Sequence, residues 1–197
     1  MTETLTLDTP AGPGTVELDR GDVGLVLLTH GAGGGVHSPD LDAVRDALLG
    51  HGVGVGLVTQ PYRAAGRRTP PKPGAQDAAW LALVRELDHD GPLILGGRSN
   101  GARVACRTAV EARATAVVAL AFPLHPPGRP EKSRVAELDA AGVPVLVVQG
   151  ERDPFGLPPS AAGRDVVVVP GDHALKRDTA AVVDAVTAFV TSQIARA

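Results

Sequence analysis

The sequence predicts an α/β protein: a mostly parallel sheet covered by helices on both faces. Three observations carry that prediction. Short apolar runs alternate with segments of helical period along the whole chain. Runs such as GLVLLT (24–29) and VPVLVVQ (143–149) are apolar almost without interruption, as strands buried on both faces are. Glycine-rich turns follow the runs at 24–29 and 92–96, where a strand would have to hand over to a helix.

The elements follow in order. Segments 4–8 and 15–19 flank Pro10-Ala11-Gly12-Pro13-Gly14 and read as a hairpin. The strand at 24–29 ends in His30-Gly31-Ala32-Gly33-Gly34-Gly35. Ser38 is placed to cap a helix, Pro39 suits its first turn, Leu41, Val44 and Leu48 repeat at helical spacing, and Gly50 is expected to close it. A strand at 53–59, a polar loop at 60–74 and a helix around 76–87 come next. Strand 92–96 leads into Gly97-Arg98-Ser99-Asn100-Gly101 and a helix at 102–112. Later strands are expected at 116–122, 143–149 and 165–169. Val182, Val183, Val186, Phe189, Val190 and Ile194 mark the apolar stripe of a terminal helix. The stretch 123–141 is too short for a large lid, and no repeat or linker divides the chain, so one domain over 1–197 is expected.

Composition narrows the function classes. With 44% hydrophobic and 21% charged residues, the chain has the makings of a packed core, which excludes wholesale disorder. A net charge of −3 gives no polyanion-binding signature, so no nucleic-acid partner is expected. Cys106 is the only cysteine, which excludes an internal disulfide and any CxxC zinc pair; no metal and no cofactor are expected. The start lacks a basic segment followed by an apolar one, and no apolar run approaches the roughly 18 residues of a membrane helix. A cytoplasmic protein away from the membrane is the expectation.

The chemistry is carried by Gly97-Arg98-Ser99-Asn100-Gly101, which matches G-x-S-x-G. That pattern describes a sharp strand-to-helix turn that holds a serine in a strained conformation with its hydroxyl exposed. Small flanking residues are needed because strand and helix pass close together there. Given five serines and 24 glycines, chance would produce the pattern about 0.07 times in a chain of this composition.

A serine hydroxyl needs a histidine to take its proton and a carboxylate to orient that histidine. On this architecture the chain order is serine, acid, histidine, which leaves His125 and His173 as bases. His173 follows an apolar run in Pro170-Gly171-Asp172-His173 and is favoured; His125, in PLHPP, precedes every good acid. Asp153, in Gly150-Glu151-Arg152-Asp153-Pro154, is the favoured acid, with Glu151 and Asp172 as the alternatives. Because the base must be neutral, kcat/KM is expected to rise as the imidazole loses its proton.

Acyl transfer also needs donors for the developing oxyanion. The backbone N–H of Asn100 is one, and the second is expected from His30-Gly31-Ala32-Gly33, at Ala32 or next at Gly33. His30 itself reads as a structural hydrogen-bonder. Arg63, Arg67, Arg68 and Lys72 form a basic run without an acid before Gly74, expected to rim the catalytic face. Arg63, Arg98 and His125 are the candidate substrate contacts.

With these residues assembled, the chain resembles the α/β-hydrolase superfamily, most of all its small lidless dienelactone-hydrolase-like group. The resemblance runs through THGAGGG (29–35), GGRSNGA (96–102), AFPLHPPGRPEK (121–132), QGERDPFG (149–156) and GDH (171–173). It implies an α/β-hydrolase fold with an eight-stranded sheet whose first strands are antiparallel. It also implies nucleophile Ser99, acid Asp153, base His173 and oxyanion donors near Ala32 and Asn100. Serine replaces the cysteine of dienelactone hydrolase at the elbow, so that enzyme's substrate is not carried over.

The functional expectation is a cofactor-independent serine hydrolase acting on a small-molecule carboxylic ester or thioester. The competing class is a binding or scaffold protein on the same fold, since fold does not fix function.

Overall fold

Eight strands form one sheet in the computed structural model, which describes residues 1–197. They are β1 (Glu3–Leu7), β2 (Gly14–Asp19), β3 (Leu25–Thr29), β4 (Gly54–Thr59), β5 (Leu93–Arg98), β6 (Ala116–Leu120), β7 (Val145–Gly150) and β8 (Arg164–Val169). Their order is β1-β2-β4-β3-β5-β6-β7-β8. The β1–β2 and β2–β4 pairs are antiparallel and every other pair is parallel. The hairpin and the parallel remainder thus lie where the sequence puts them.

Six helices complete the chain: α1 (Pro39–Gly50), α2 (Pro61–Ala64), α3 (Pro73–Glu86), α4 (Asn100–Thr108), α5 (Val135–Asp139) and α6 (Thr179–Ile194). Alternation along the strands decides which face each side chain enters. Leu25 and Leu27 of β3 pack with Trp80, Leu83, Val104 and Leu138, beneath α3, α4 and α5. Val26 and Leu28 pack with Leu41, Val44, Val182 and Val186, beneath α1 and α6. The continuous apolar runs are therefore two interleaved stripes, one for each core.

Several boundaries differ from the sequence reading. Helix α1 runs through Gly50 and is capped by His51; the left-handed turn falls at Gly52 (φ 74°). Ser38 occupies the N-cap position, but its hydroxyl donates to Asp40 Oδ1 (2.6 Å) instead of accepting from the helix. The 60–74 segment contains the one-turn helix α2, and α3 starts at Pro73, whose missing N–H costs nothing in a first turn. Helix α4 begins at Asn100 and ends at Thr108, earlier than expected at both ends. Between β6 and β7 only the five-residue α5 intervenes, and no lid is built.

The parallel register places Thr29 opposite Gly97, so β3 and β5 end level with each other. The chain leaves β3 toward β4 on one side and later returns to β5 on the other. Such a reversal opens a crevice beyond the carboxyl ends of the strands, where α/β sheets bind ligands. Cys106 lies far from that crevice in character: it is fully buried, and burial first, with Glu137 adding, pushes its thiol up to about 12. It is no nucleophile. No helix is long and apolar enough to cross a membrane.

Candidate active site

Ser99 sits between β5 and α4 with φ 54° and ψ −111°, a conformation that costs a non-glycine residue about 1–3 kcal/mol. Close packing holds it there. A Cβ at Gly97 would fall 2.5 Å from the Thr29 carbonyl oxygen, and one at Gly101 would fall 2.6 Å from that same oxygen and 2.8 Å from that of His30. Only glycines let the elbow slide under the end of β3. The Ser99 side chain makes no capping bond to α4, so its hydroxyl is free for another partner.

That partner is His173. Its Nε2 lies 2.9 Å from Ser99 Oγ, and its Nδ1 lies 2.7 Å from Asp153 Oδ2. A carboxylate only accepts, so Nδ1 carries the proton and Nε2 is left to accept from the serine hydroxyl. Asp153 is buried, with its side chain fully shielded, whereas the His173 side chain is 21% exposed. The three residues reach each other from three strand ends. Here too a glycine matters: a Cβ at Gly150 would lie 2.3 Å from the Asp172 carbonyl oxygen, so the segments carrying Asp153 and His173 can touch only without one. The other acids considered, Glu151 and Asp172, are exposed; Glu151 lies 3.7 Å from Arg152, and Asp172 accepts from the N–H of Ala174.

Three residues that the sequence reading passed over support this arrangement. Gln149 Nε2 donates to Asp153 Oδ2 (2.8 Å), and the N–H of Phe155 donates to Asp153 Oδ1 (2.8 Å), so both carboxylate oxygens are held. The Phe155 ring rests on the His173 imidazole, with centroids 4.3 Å apart. Asp40, the third, is taken up below. A glutamine at the end of an apolar strand next to a candidate acid was the available signal for the first.

The turn after β3 is set by His30. Burial holds its pKa below the ordinary value, with Arg63 adding in that direction. Nδ1 donates to the Gly31 carbonyl oxygen (2.8 Å) and Nε2 accepts the N–H of Gln60 (3.1 Å). In a trans peptide the N–H points opposite to the C=O, so the Ala32 N–H faces away from the His30 ring. It donates to no backbone carbonyl. Gly31 lies against Ser99: a Cβ there would be 3.3 Å from Ser99 Cβ and 3.9 Å from its Oγ. The Asn100 N–H opens α4 and is one of that helix's unpaired donors. Gly33 is exposed with open space around it.

His30 makes a pH prediction. Unfolded, the imidazole takes up a proton near pH 6.5; buried, it resists until lower pH. Stability present above that value is therefore lost as pH falls toward the lowered native pKa. The Tm difference between pH 7.5 and 5.5 should shrink in His30→Gln. His37, raised by Asp42 and Glu17, works in the opposite direction, but it is common to both proteins and cancels.

The three candidate substrate contacts fare differently. Arg98 is engaged with protein groups: Nε donates to Asp40 Oδ2 (2.9 Å) and Nη2 to the His173 carbonyl oxygen (2.6 Å). The physical reason is Asp40, whose side chain is 1% exposed and needs a countercharge. His125 is half-buried; Nδ1 bonds the Pro126 carbonyl, and the ring fills the space beside Gly156. It makes no bond to Ser99. Arg63 is half-buried and its Nη1 closes its own loop on the Arg67 carbonyl (3.2 Å), while Arg67, Arg68 and Lys72 are exposed. No group of three or more His, Cys, Asp or Glu is placed to hold a metal ion.

Residues 22–185 match the family described as an alpha/beta hydrolase domain. The chain belongs to the α/β-hydrolase family. That membership supports hydrolysis as the class of activity. No curated protein matches the sequence significantly. Solved structures share the α/β-hydrolase fold at low identity. A serine hydrolase without a lid from Xanthomonas campestris is 21% identical, with TM-score 0.77, over 97% of this chain and 94% of that one. Est1E from Butyrivibrio proteoclasticus, with ferulic acid bound, is 19% identical, with TM-score 0.76, over 97% and 99%. A dienelactone hydrolase from Anabaena variabilis is 18% identical, with TM-score 0.73, over 100% and 97%. The eight-stranded, lidless α/β-hydrolase fold expected from the sequence is the fold observed.

Proposed function

We propose that this α/β-hydrolase is a serine hydrolase that cleaves carboxylic esters or thioesters through an acyl-enzyme. The single observation that carries the reading is the chain of contacts from Ser99 Oγ through both nitrogens of His173 to Asp153, at 2.9 and 2.7 Å, on a strained elbow. Those contacts fit the sequence of steps for acyl transfer. Ser99 Oγ attacks the carbonyl carbon as His173 Nε2 takes its proton. The carbonyl oxygen becomes negative and accepts from the backbone N–H groups of Asn100 and Ala32, with Gly33 next in line. Collapse of the tetrahedral species expels the alcohol or thiol, which leaves with the proton from Nε2. Water then attacks the acyl carbon and gives a proton to Nε2; the bond from that carbon to Ser99 Oγ breaks, Nε2 returns the proton to Oγ, and the carboxylic acid leaves.

Asp153 keeps the Nδ1–H tautomer and stabilises the imidazolium. Gln149 and the Phe155 N–H fix the carboxylate. The absence of a lid leaves Ser99 partly exposed, which suits small acyl groups entering from solvent. A dienelactone hydrolase among the similar folds fits an ester substrate class, a lactone being a cyclic ester.

The test is covalent labelling of the native protein by a fluorophosphonate, with the modified residue located by mass spectrometry. Labelling confined to Ser99, and lost on heat unfolding, is expected. A native protein that takes no label, or is labelled elsewhere, overturns the reading in favour of a binding protein on the same fold.

A further inference from the structure

Arg98 joins three segments: the start of α1, the connection that carries His173, and the elbow that carries Ser99. Its Nε is bonded to Asp40 at the start of α1 (2.9 Å), its Nη2 to the main-chain oxygen of His173 (2.6 Å), and its own backbone is adjacent to Ser99. Asp40 is held in turn: Oδ1 accepts from Ser38 Oγ (2.6 Å), and a carboxylate in a first helical turn is favoured by the helix dipole. Behind the guanidinium the carboxylate is 1% exposed, while the arginine side chain is 21% exposed and lines a cavity of about 300 Å³ with Gly31, His37 and Lys176.

The contacts between Ser99, His173 and Asp153 fix the imidazole tip, but they do not fix the His173 main chain. That main chain belongs to a connection between β8 and α6, 74 residues from Ser99. We infer that the Asp40–Arg98 pair is a brace that sets the distance between the His173 backbone and the Ser99 elbow, making Arg98 a positioning residue for proton transfer. A fork is needed for this. Its Nε and Nη2 donate to a carboxylate and a carbonyl at once, from a rigid fork that a single ammonium does not reproduce. An error of about 1 Å between nucleophile and base lowers the rate by up to roughly 100-fold, so the brace acts on kcat.

The inference rests on the hydrolase reading for its kinetic arm, so a second arm is independent of turnover. Arg98→Lys keeps a positive charge beside Asp40 and preserves the fold. For this variant kcat on a short-chain aryl ester is expected to fall roughly tenfold with KM within about twofold and Tm nearly unchanged. Independently, the low-field proton resonance of the His173–Asp153 hydrogen bond should broaden or shift. In Arg98→Ala, ethylguanidinium diffusing into the enlarged cavity should restore kcat saturably, whereas an equal concentration of sodium chloride should not. A Lys variant with wild-type kcat and an unmoved resonance overturns the inference. So does a loss of activity that merely tracks a loss of Tm. If the wild type shows no turnover, the hydrolase reading has failed, and the resonance of the Lys variant alone then decides the brace.

Discussion

Ser99→Ala is expected to lower kcat/KM for ester hydrolysis by roughly 10⁴–10⁶-fold without loss of fold. In the proposed mechanism removing Oγ removes the nucleophile, while the elbow, held by Gly97 and Gly101 against β3, stays where it is. Asp153→Asn should cost less but still heavily, roughly 10³–10⁴-fold in kcat. The reason lies in the bonds to that carboxylate. Oδ1 accepts the Phe155 N–H, while Oδ2 accepts from both His173 Nδ1 and Gln149 Nε2. An amide that keeps its oxygen toward Phe155 turns its NH₂ toward two donors. His173 must then carry its proton on Nε2, where it can no longer take one from Ser99. Combining the two substitutions should add little to Ser99→Ala alone, because the residues act as a unit. Fully multiplicative losses in steady-state kinetics would argue that Asp153 acts elsewhere.

The second large effect is on stability. Gly101→Ala puts a methyl group 2.6 Å from the Thr29 oxygen and 2.8 Å from the His30 oxygen. Both obstacles are main chain, and neither can rotate away. The end of β3 or the start of α4 must shift, at an expected cost of roughly 2–4 kcal/mol. For a protein of this size that lowers Tm by roughly 5–15 °C. Gly33→Ala, in the glycine-rich turn after β3, is the contrast: no atom lies within 4 Å of its would-be Cβ, and its φ is not left-handed. Its Tm should move by less than about 2 °C. Equal shifts in the two variants, measured by calorimetry, would contradict the packing argument. Activity should separate them as well, since the displaced β3 end carries Gly31 and Ala32.

How much of the site was legible depended on whether its signal was local. The G-x-S-x-G elbow is local: a strained turn with small neighbours leaves its mark in five consecutive residues. Asp153 and His173 are legible as candidates because chain order after Ser99 and position at strand ends leave few choices, and the structure places His173 in contact with both Asp153 and Ser99. Gln149 was hidden because it reads as the polar end of an apolar strand, and nothing local says that its amide reaches Asp153, the Phe122 carbonyl and the Gly156 carbonyl. The bonds of Arg98 to Asp40 and to the His173 carbonyl were hidden for a related reason. An arginine beside a nucleophile invites a role with substrate, and its true neighbours lie 58 and 75 residues away.

The sequence by itself determined the class of fold, the positions of the strands and the identity of the elbow, because hydrophobic period and turn chemistry act over a few residues. Tertiary structure alone decided that the backbone at Gly150 approaches Asp172 within contact distance, and which buried charge each arginine must answer. Those outcomes depend on the packing of distant segments into one low-dielectric interior, where every charge and polar group must find a partner that the local chain does not name.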